Sequence, residues 1–294
     1  MLEHYCRYLT EERGLAAATT RYYVDLVRPF LDSRVSADGL TLNCDSLTAG
    51  DVTRFIVTHT SDQCRGTAKL TVTALRSLLG FLNTDGVIER NLSAAVPSVA
   101  GWRLAGLPKG LEPGQVEAML RCCDRRTRLG RRSFAVTTML VRLGLRAGEL
   151  AALRLDDIDW HTGTIVVRGK GNQIERLPLP ADVGEAVVAY LRHARPESAL
   201  DRTVFVRFKA PHRALSAAAV RHIVTAAARR AGLGRIGPHR LRHTAATQML
   251  RSGAPLSEIG QLLRHRRALT TAIYAKVDRT ALRAIARPWP GGVA

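Results

Sequence analysis

No stretch of this 294-residue chain holds the roughly 18 consecutive apolar residues that a bilayer-spanning helix needs. The N-terminal residues also lack the apolar core of a secretion signal, so the expected location is cytoplasmic. Cysteine is scarce and odd in number. Cys6, Cys44, Cys64, Cys122 and Cys123 are scattered, without a Cys-x-x-Cys pair, which excludes the common zinc and redox spacings. No disulfide and no metal site is expected. A nucleotide-binding phosphate loop is missing too: the run from Gly163 to Gly169-Lys170 is one residue too long, and Gly171 stands where Ser or Thr belongs. No cofactor is therefore expected, and any phosphate chemistry must proceed without ATP.

Lysine and acidic residues are also in short supply. Only five of the 44 basic residues are lysine (Lys69, Lys109, Lys170, Lys209 and Lys276), and 25 acids leave a formal charge of +19. The imbalance is local. Residues 1–108 carry 11 basic and 11 acidic side chains, whereas residues 109–294 carry 33 and 14. A field of this size draws polyanions by counterion release; nucleic acid fits, and anionic membranes or acidic proteins would feel the same attraction.

Helical periodicity dominates what is present, over a length sufficient for two ordinary domains. Leu2, Tyr5, Cys6 and Leu9 mark a helix that Gly14 stops; Thr19 or Thr20 caps a second, bearing Tyr22, Tyr23, Leu26 and Phe30. Thr48 caps a third from Asp51 to Thr58, and Thr67–Asn83, with Leu75, Leu78, Leu79 and Leu82, forms a fourth before the Asp85-Gly86 turn. Residues 1–90 therefore read as a four-helix domain. Pro97, Gly101, Gly106, Pro108 and Gly110 make 91–110 a linker to a second domain, 111–294. There, helices are predicted over 115–123, an almost wholly apolar 134–143, 182–195 and an Ala-rich 216–231. Thr164–Arg168 and Gln173–Leu177 form a hairpin around Gly169-Lys170-Gly171-Asn172, and Val204-Phe205-Val206 a short third strand. The fold class is mainly α with a small three-stranded antiparallel sheet.

The chemistry concentrates near the C-terminal end. In Pro238-His239-Arg240-Leu241-Arg242-His243-Thr244, His239 and Arg242 lie at i and i+3 and leave one helix face together. Pro238 suits the first helical position, which puts both in the first turns, where the helix dipole favours an anion. A lone pair of this kind is ordinarily a solvated basic face, so its company matters. Arg146, in Leu145-Arg146-Ala147-Gly148-Glu149-Leu150, falls where an apolar helix meets a turn; a semi-buried guanidinium there needs an acid, for which Glu149 is the candidate, or a phosphate. Lys170 sits on the hairpin tip of a chain that otherwise prefers arginine. An ammonium can release its proton where a guanidinium cannot, which suits a general acid.

The order Arg146, Lys170, His239-x-x-Arg242, His265, Tyr274 resembles the tyrosine recombinase (phage integrase) family, nearest its Xer-like members. The resemblance covers nearly the whole chain. It implies a SAM-like core-binding domain that closes one side of a DNA clamp, and a catalytic domain with those six residues as the active site. It further implies Tyr274 as nucleophile, a 3′-phosphotyrosyl intermediate, arginines on the scissile phosphate and Lys170 as the acid. Double-stranded DNA is the implied partner, bound by a homo-tetramer or by a hetero-tetramer with a second recombinase. A helix over 279–287 would link the subunits. Arg65, Lys69, Arg76, Arg207, Lys209, Arg213, Arg221, Arg240, Arg264 and Arg266 are candidate DNA contacts. One position departs from the family pattern: Arg264 precedes His265 where glycine is usual, which puts the placement of His265 in question. A type IB topoisomerase and a catalytically silent DNA-binding protein of the same fold are the alternatives.

Overall fold

A computed structural model describes residues 1–36, 41–44, 46–100, 110–169, 174–264, 271 and 274. The chain divides into two compact units, Met1–Ala105 and Gly106–Ala294. In the first, α1 (Leu2–Arg7) continues into a π-helical turn (Tyr8–Glu12), and Gly14, with φ of 59°, turns the chain away. Helices α2 (Ala17–Asp32), α3 (Ala49–Thr60) and α4 (Arg65–Thr84) follow. Thr48 caps α3 reciprocally: its hydroxyl accepts the Asp51 amide at 3.2 Å while the Asp51 carboxylate accepts the Thr48 amide at 3.1 Å. Helix α2 starts without the expected threonine cap. The amides of Thr19 and Thr20 already donate to the Ala16 carbonyl, so both threonines lie inside the first turn. The predicted leucine stripe of α4 is buried against Tyr5, Leu9, Val27, Phe30, Val52 and Ile56.

The second unit is built around α6 (Arg128–Leu143), which is buried on almost every side. Around it pack α5 (Pro113–Arg121), α7 (Ala147–Ala152), α8 (Ala181–His193), α9 (Ala217–Arg230) and α10 (Pro238–Arg251). Helix α11 (Leu256–Leu262) packs on α10. Helix α6 begins six residues before Phe134, because Thr127 caps it by accepting the Gly130 amide at 3.0 Å. Its early arginines disguise the start; Arg132 is buried, donates to the Val206 carbonyl at 2.9 Å and lies 4.1 Å over the Phe208 ring.

The sheet is three-stranded and antiparallel, in the order β1 (Ile158–Asp159), β2 (Thr164–Arg168), β3 (Ile174–Pro178), with Val166 opposite Arg176. Its third strand is thus Ile158–Asp159 and not Val204–Val206. That apolar segment is fully buried, but its amides are taken elsewhere: Val204 donates to the Leu153 carbonyl at 2.8 Å and Val206 to the Tyr190 hydroxyl at 3.3 Å. Among the described residues, no helix is long and apolar enough to cross a membrane. The hairpin tip with Lys170, the predicted helix over 279–287 and linker residues 101–109 lie outside the described residues.

Gly130 carries a test of this packing. A Cβ there would stand 1.9 Å from the Asp124 carbonyl oxygen, a backbone atom that cannot yield without moving the turn before α6. Gly130→Ala is expected to lower unfolding free energy in urea by about 1–3 kcal/mol; a variant as stable as the natural chain would contradict the packing described.

Candidate active site

Helix α6 delivers the first component by the way it ends. Gly144 terminates it in the left-handed region (φ 58°), and the carbonyl it presents accepts Nη1 of Arg242 at 2.6 Å. Arg242 sits one turn into α10, with Gly237 as N-cap and Pro238 in the first turn as predicted. The arginine is 4% exposed, and among the described residues its Nη2 has no hydrogen-bond partner. Burial, reinforced by the cations of Arg146 and Arg264, lowers its pKa to about 10. A buried cationic donor without an acceptor is costly, and an anion would satisfy it.

Arg146 is the N-cap of α7, and Glu149 closes on it. The Glu149 carboxylate accepts the Arg146 amide at 2.9 Å through Oε2 and its Nη1 at 2.6 Å through Oε1. The expected acid partner is therefore present. Glu149 also accepts Nη2 of Arg264 at 2.8 Å. Burial works against its charge, but the Arg146 amide and the two guanidiniums prevail and hold the carboxyl below its usual range. Arg146 itself remains about half exposed and also donates Nη2 to the Arg264 carbonyl at 3.3 Å.

The third component is a chain of rings. Tyr274, 1% exposed, lies in a small apolar cluster with Ala246, Ile259 and Leu263. Its hydroxyl is 2.7 Å from Nδ1 of His243, whose Nε2 is 3.1 Å from Nε2 of His239. Tyr274 is pushed up to about 12 by burial, against a smaller downward pull from Arg242. Burial, then His239 and Arg242, hold His243 down at about 4; burial, then Arg242 and Arg146, lower His239. Both imidazoles are therefore neutral near pH 7, each able to accept a proton.

Four of the six sequence-predicted catalytic residues (Arg146, His239, Arg242 and Tyr274) thus converge on one site, while Lys170 and His265 lie outside the described residues, as does Arg266. His243 was missed. The available signal was its i+4 spacing from His239, overlooked beside the i+3 pairing of His239 with Arg242. Among the candidate DNA contacts, Arg65, Lys69, Arg207, Lys209, Arg213 and Arg221 are exposed and Arg240 partly so. Two others are engaged within the chain. Partly buried Arg76 donates to the Val96 carbonyl at 2.7 Å and to the Ser98 hydroxyl at 3.0 Å. Arg264 is buried on Glu149. Among the described residues, no group of three or more His, Cys, Asp and Glu side chains is placed to hold a metal ion.

Comparison with known proteins places both units in a family. Residues 109–280 match the phage integrase family, and residues 2–86 match the phage integrase N-terminal SAM-like domain. The chain is 45% identical to "Putative integrase/recombinase y4rA" of Sinorhizobium fredii (strain NBRC 101917 / NGR234) over 99% of its own length and 71% of that protein. It is 32% identical to tyrosine recombinase XerD of Listeria monocytogenes serotype 4b, over 96% of both. In fold it is similar to the XerH site-specific recombinase bound to palindromic difH substrate, with a TM-score of 0.73 at 21% identity, covering 96% of this chain and 82% of that one. The chain belongs to the phage integrase family, the tyrosine recombinases, enzymes that cleave and rejoin DNA in site-specific recombination.

His243 supplies a pH test. Its folded pKa lies below the roughly 6.5 of an unfolded histidine, so the unfolded chain takes up the proton first. Acidification from about 6.5 towards 4 should therefore drain stability, with the His243 ring signals in NMR titrating near 4. A midpoint at or above the ordinary histidine value would contradict the burial described.

Proposed function

We propose that Tyr274 attacks a DNA phosphodiester, forming a 3′-phosphotyrosyl bond and releasing a 5′-hydroxyl, and that the reverse step on another strand completes recombination. The observation that carries this reading is the convergence in one site of the Tyr274 hydroxyl, His243 and the buried Nη2 of Arg242, which has no hydrogen-bond partner among the described residues. A phenol held at about 12 needs a base at the moment of attack. His243 accepts the proton at Nδ1 while its Nε2 proton passes to His239, so the positive charge ends on the imidazole nearer the exposed rim. Because Tyr274 is almost fully buried, binding of the duplex must uncover the hydroxyl. Arg242 and Arg146 place donors for the non-bridging oxygens and offset the charge that grows on phosphorus. Lys170, as acid for the leaving 5′-oxygen, and His265, as a further donor, complete the scheme on the family resemblance alone. The phosphotyrosyl bond retains the energy of the bond it replaces, so neither ATP nor a metal is required.

The partner is duplex DNA. The +19 charge favours it, and fold neighbours include a lambda integrase dimer bound to a COC′ core site and a lambda integrase tetramer bound to a Holliday junction. On that likeness we assign this chain a tetrameric assembly on DNA, of one kind of subunit or with a second recombinase, acting in the cytoplasm on chromosomal or mobile-element sites. We assign DNA contacts to Arg65 and Lys69, exposed on α4 of the SAM-like unit, and to Arg207, Lys209, Arg213 and Arg221, exposed on the catalytic unit.

Covalent capture tests the reading. The protein is expressed in its host, cells are lysed in denaturing detergent, and DNA that stays attached to the protein is sequenced. Discrete sites are expected for the natural chain and none for Tyr274→Phe. Attachment that survives in the variant would remove Tyr274 as nucleophile. Arg242→Ala and His243→Leu should each slow formation of the covalent complex by about 10²–10³-fold; Arg242→Ala acting at the natural rate would discard its role at the phosphate.

A further inference from the structure

Arg264 breaks a backbone rule and occupies a costly position. It is the only non-glycine among the described residues with positive φ, at 54°, a conformation that glycine adopts without strain. Its side chain is 2% exposed, a burial that arginine tolerates only when its charge is met. That charge is met by Glu149 through Nη2 at 2.8 Å, while Nη1 donates to the Leu262 carbonyl at 2.8 Å. Neither observation fits an arginine that merely decorates a basic surface.

The partner explains the placement. Glu149 is 4% exposed and holds Arg146 by amide and guanidinium at once. A phosphate held by Arg146 competes with Glu149 for its guanidinium, and turning Nη1 to the anion means leaving the carboxylate. A buried carboxylate stripped of its cation is strongly destabilised, so Glu149 alone would resist that departure. With Arg264 in place the carboxylate keeps one guanidinium whichever way Arg146 turns. The Arg264 carbonyl, accepting Nη2 of Arg146 at 3.3 Å, adds a guide for the moving side chain.

We propose that Arg264 is a positioning residue: the resident counter-ion of Glu149, which frees Arg146 to transfer its guanidinium to the scissile phosphate. This rests on the reading that Arg146 binds that phosphate. The counter-ion part stands independently of catalysis.

Two measurements test it. The first is a thermal-melting cycle without DNA, in which Arg146→Ala imitates the departure of Arg146. Arg146→Ala alone should shift Tm little. In the Arg264→Met background the same change should lower Tm by about 5 °C more, and Glu149→Gln should abolish the difference. Additive shifts would overturn the proposal. The second is the rate of covalent-complex formation on a captured target site. Arg264→Met and Arg264→Gly should both slow it at least tenfold, with duplex affinity within twofold, and Arg264→Lys should recover part of the loss. Glycine suits the backbone and lacks the charge, so a glycine variant as fast as the natural chain overturns the proposal. If the natural chain forms no covalent complex at all, the reading of the site fails, while the melting cycle still decides whether Arg264 is the counter-ion.

Discussion

A single buried carboxylate holds this site in register. Glu149 accepts the amide that opens α7, the guanidinium of Arg146 and the guanidinium of Arg264, which follows α11. Segments distant in sequence are thereby fixed to one another by charge-assisted bonds, shorter and stronger than neutral ones. Stripping such a buried carboxylate of its last cation typically costs about 3–5 kcal/mol, because the charge left behind has no solvent to receive it. The geometry of Arg146 follows from Glu149, and the rest of the basic cluster is arranged around that pair.

The balance of charge then sets the chemistry. Arg146, Arg242 and Arg264 surround one carboxylate, and both nearby imidazoles stay neutral near pH 7. The site is thus short of negative charge, which a phosphodiester supplies. Arg242 is held on a rigid support, between the first turns of α10 and the left-handed exit of α6 at Gly144, so its orientation is set before any anion arrives. That is the preorganisation on which transition-state stabilisation by fixed donors depends. Tyr274, raised to about 12, remains a phenol at neutral pH, with the neutral imidazole of His243 2.7 Å from its hydroxyl.

Much of this was legible in the sequence, and the failures have physical causes. Periodicity and composition located α2, α4, α8 and α9, and the Thr48 cap was readable because a side-chain hydroxyl before a helical run has few other uses. Val204–Val206 misled because a buried apolar segment looks the same whether its amides meet a neighbouring strand or a loop carbonyl and a tyrosine hydroxyl. The start of α6 was hidden by arginines, one of which is buried on an aromatic face, an environment that no local pattern reveals. Within the site, spacing exposed His239 and Arg242 because they share one helix face. The contact between His243 and Tyr274 joins residues 31 apart, and the pairing of Arg264 with Glu149 joins residues 115 apart. Such partners are set by tertiary packing. The departure from glycine at Arg264 was visible in the sequence, but its consequence, a buried ion pair with Glu149, was not.

The most direct test of the central claim is to identify the atom that carries the DNA. The purified protein, trapped on a nicked target duplex so that religation cannot occur, would be digested with protease and nuclease and its peptides read by tandem mass spectrometry. A nucleotide attached through its 3′-phosphate to the Tyr274 oxygen is the predicted result. A nucleotide on any other side chain, or one attached through a 5′-phosphate, would contradict it.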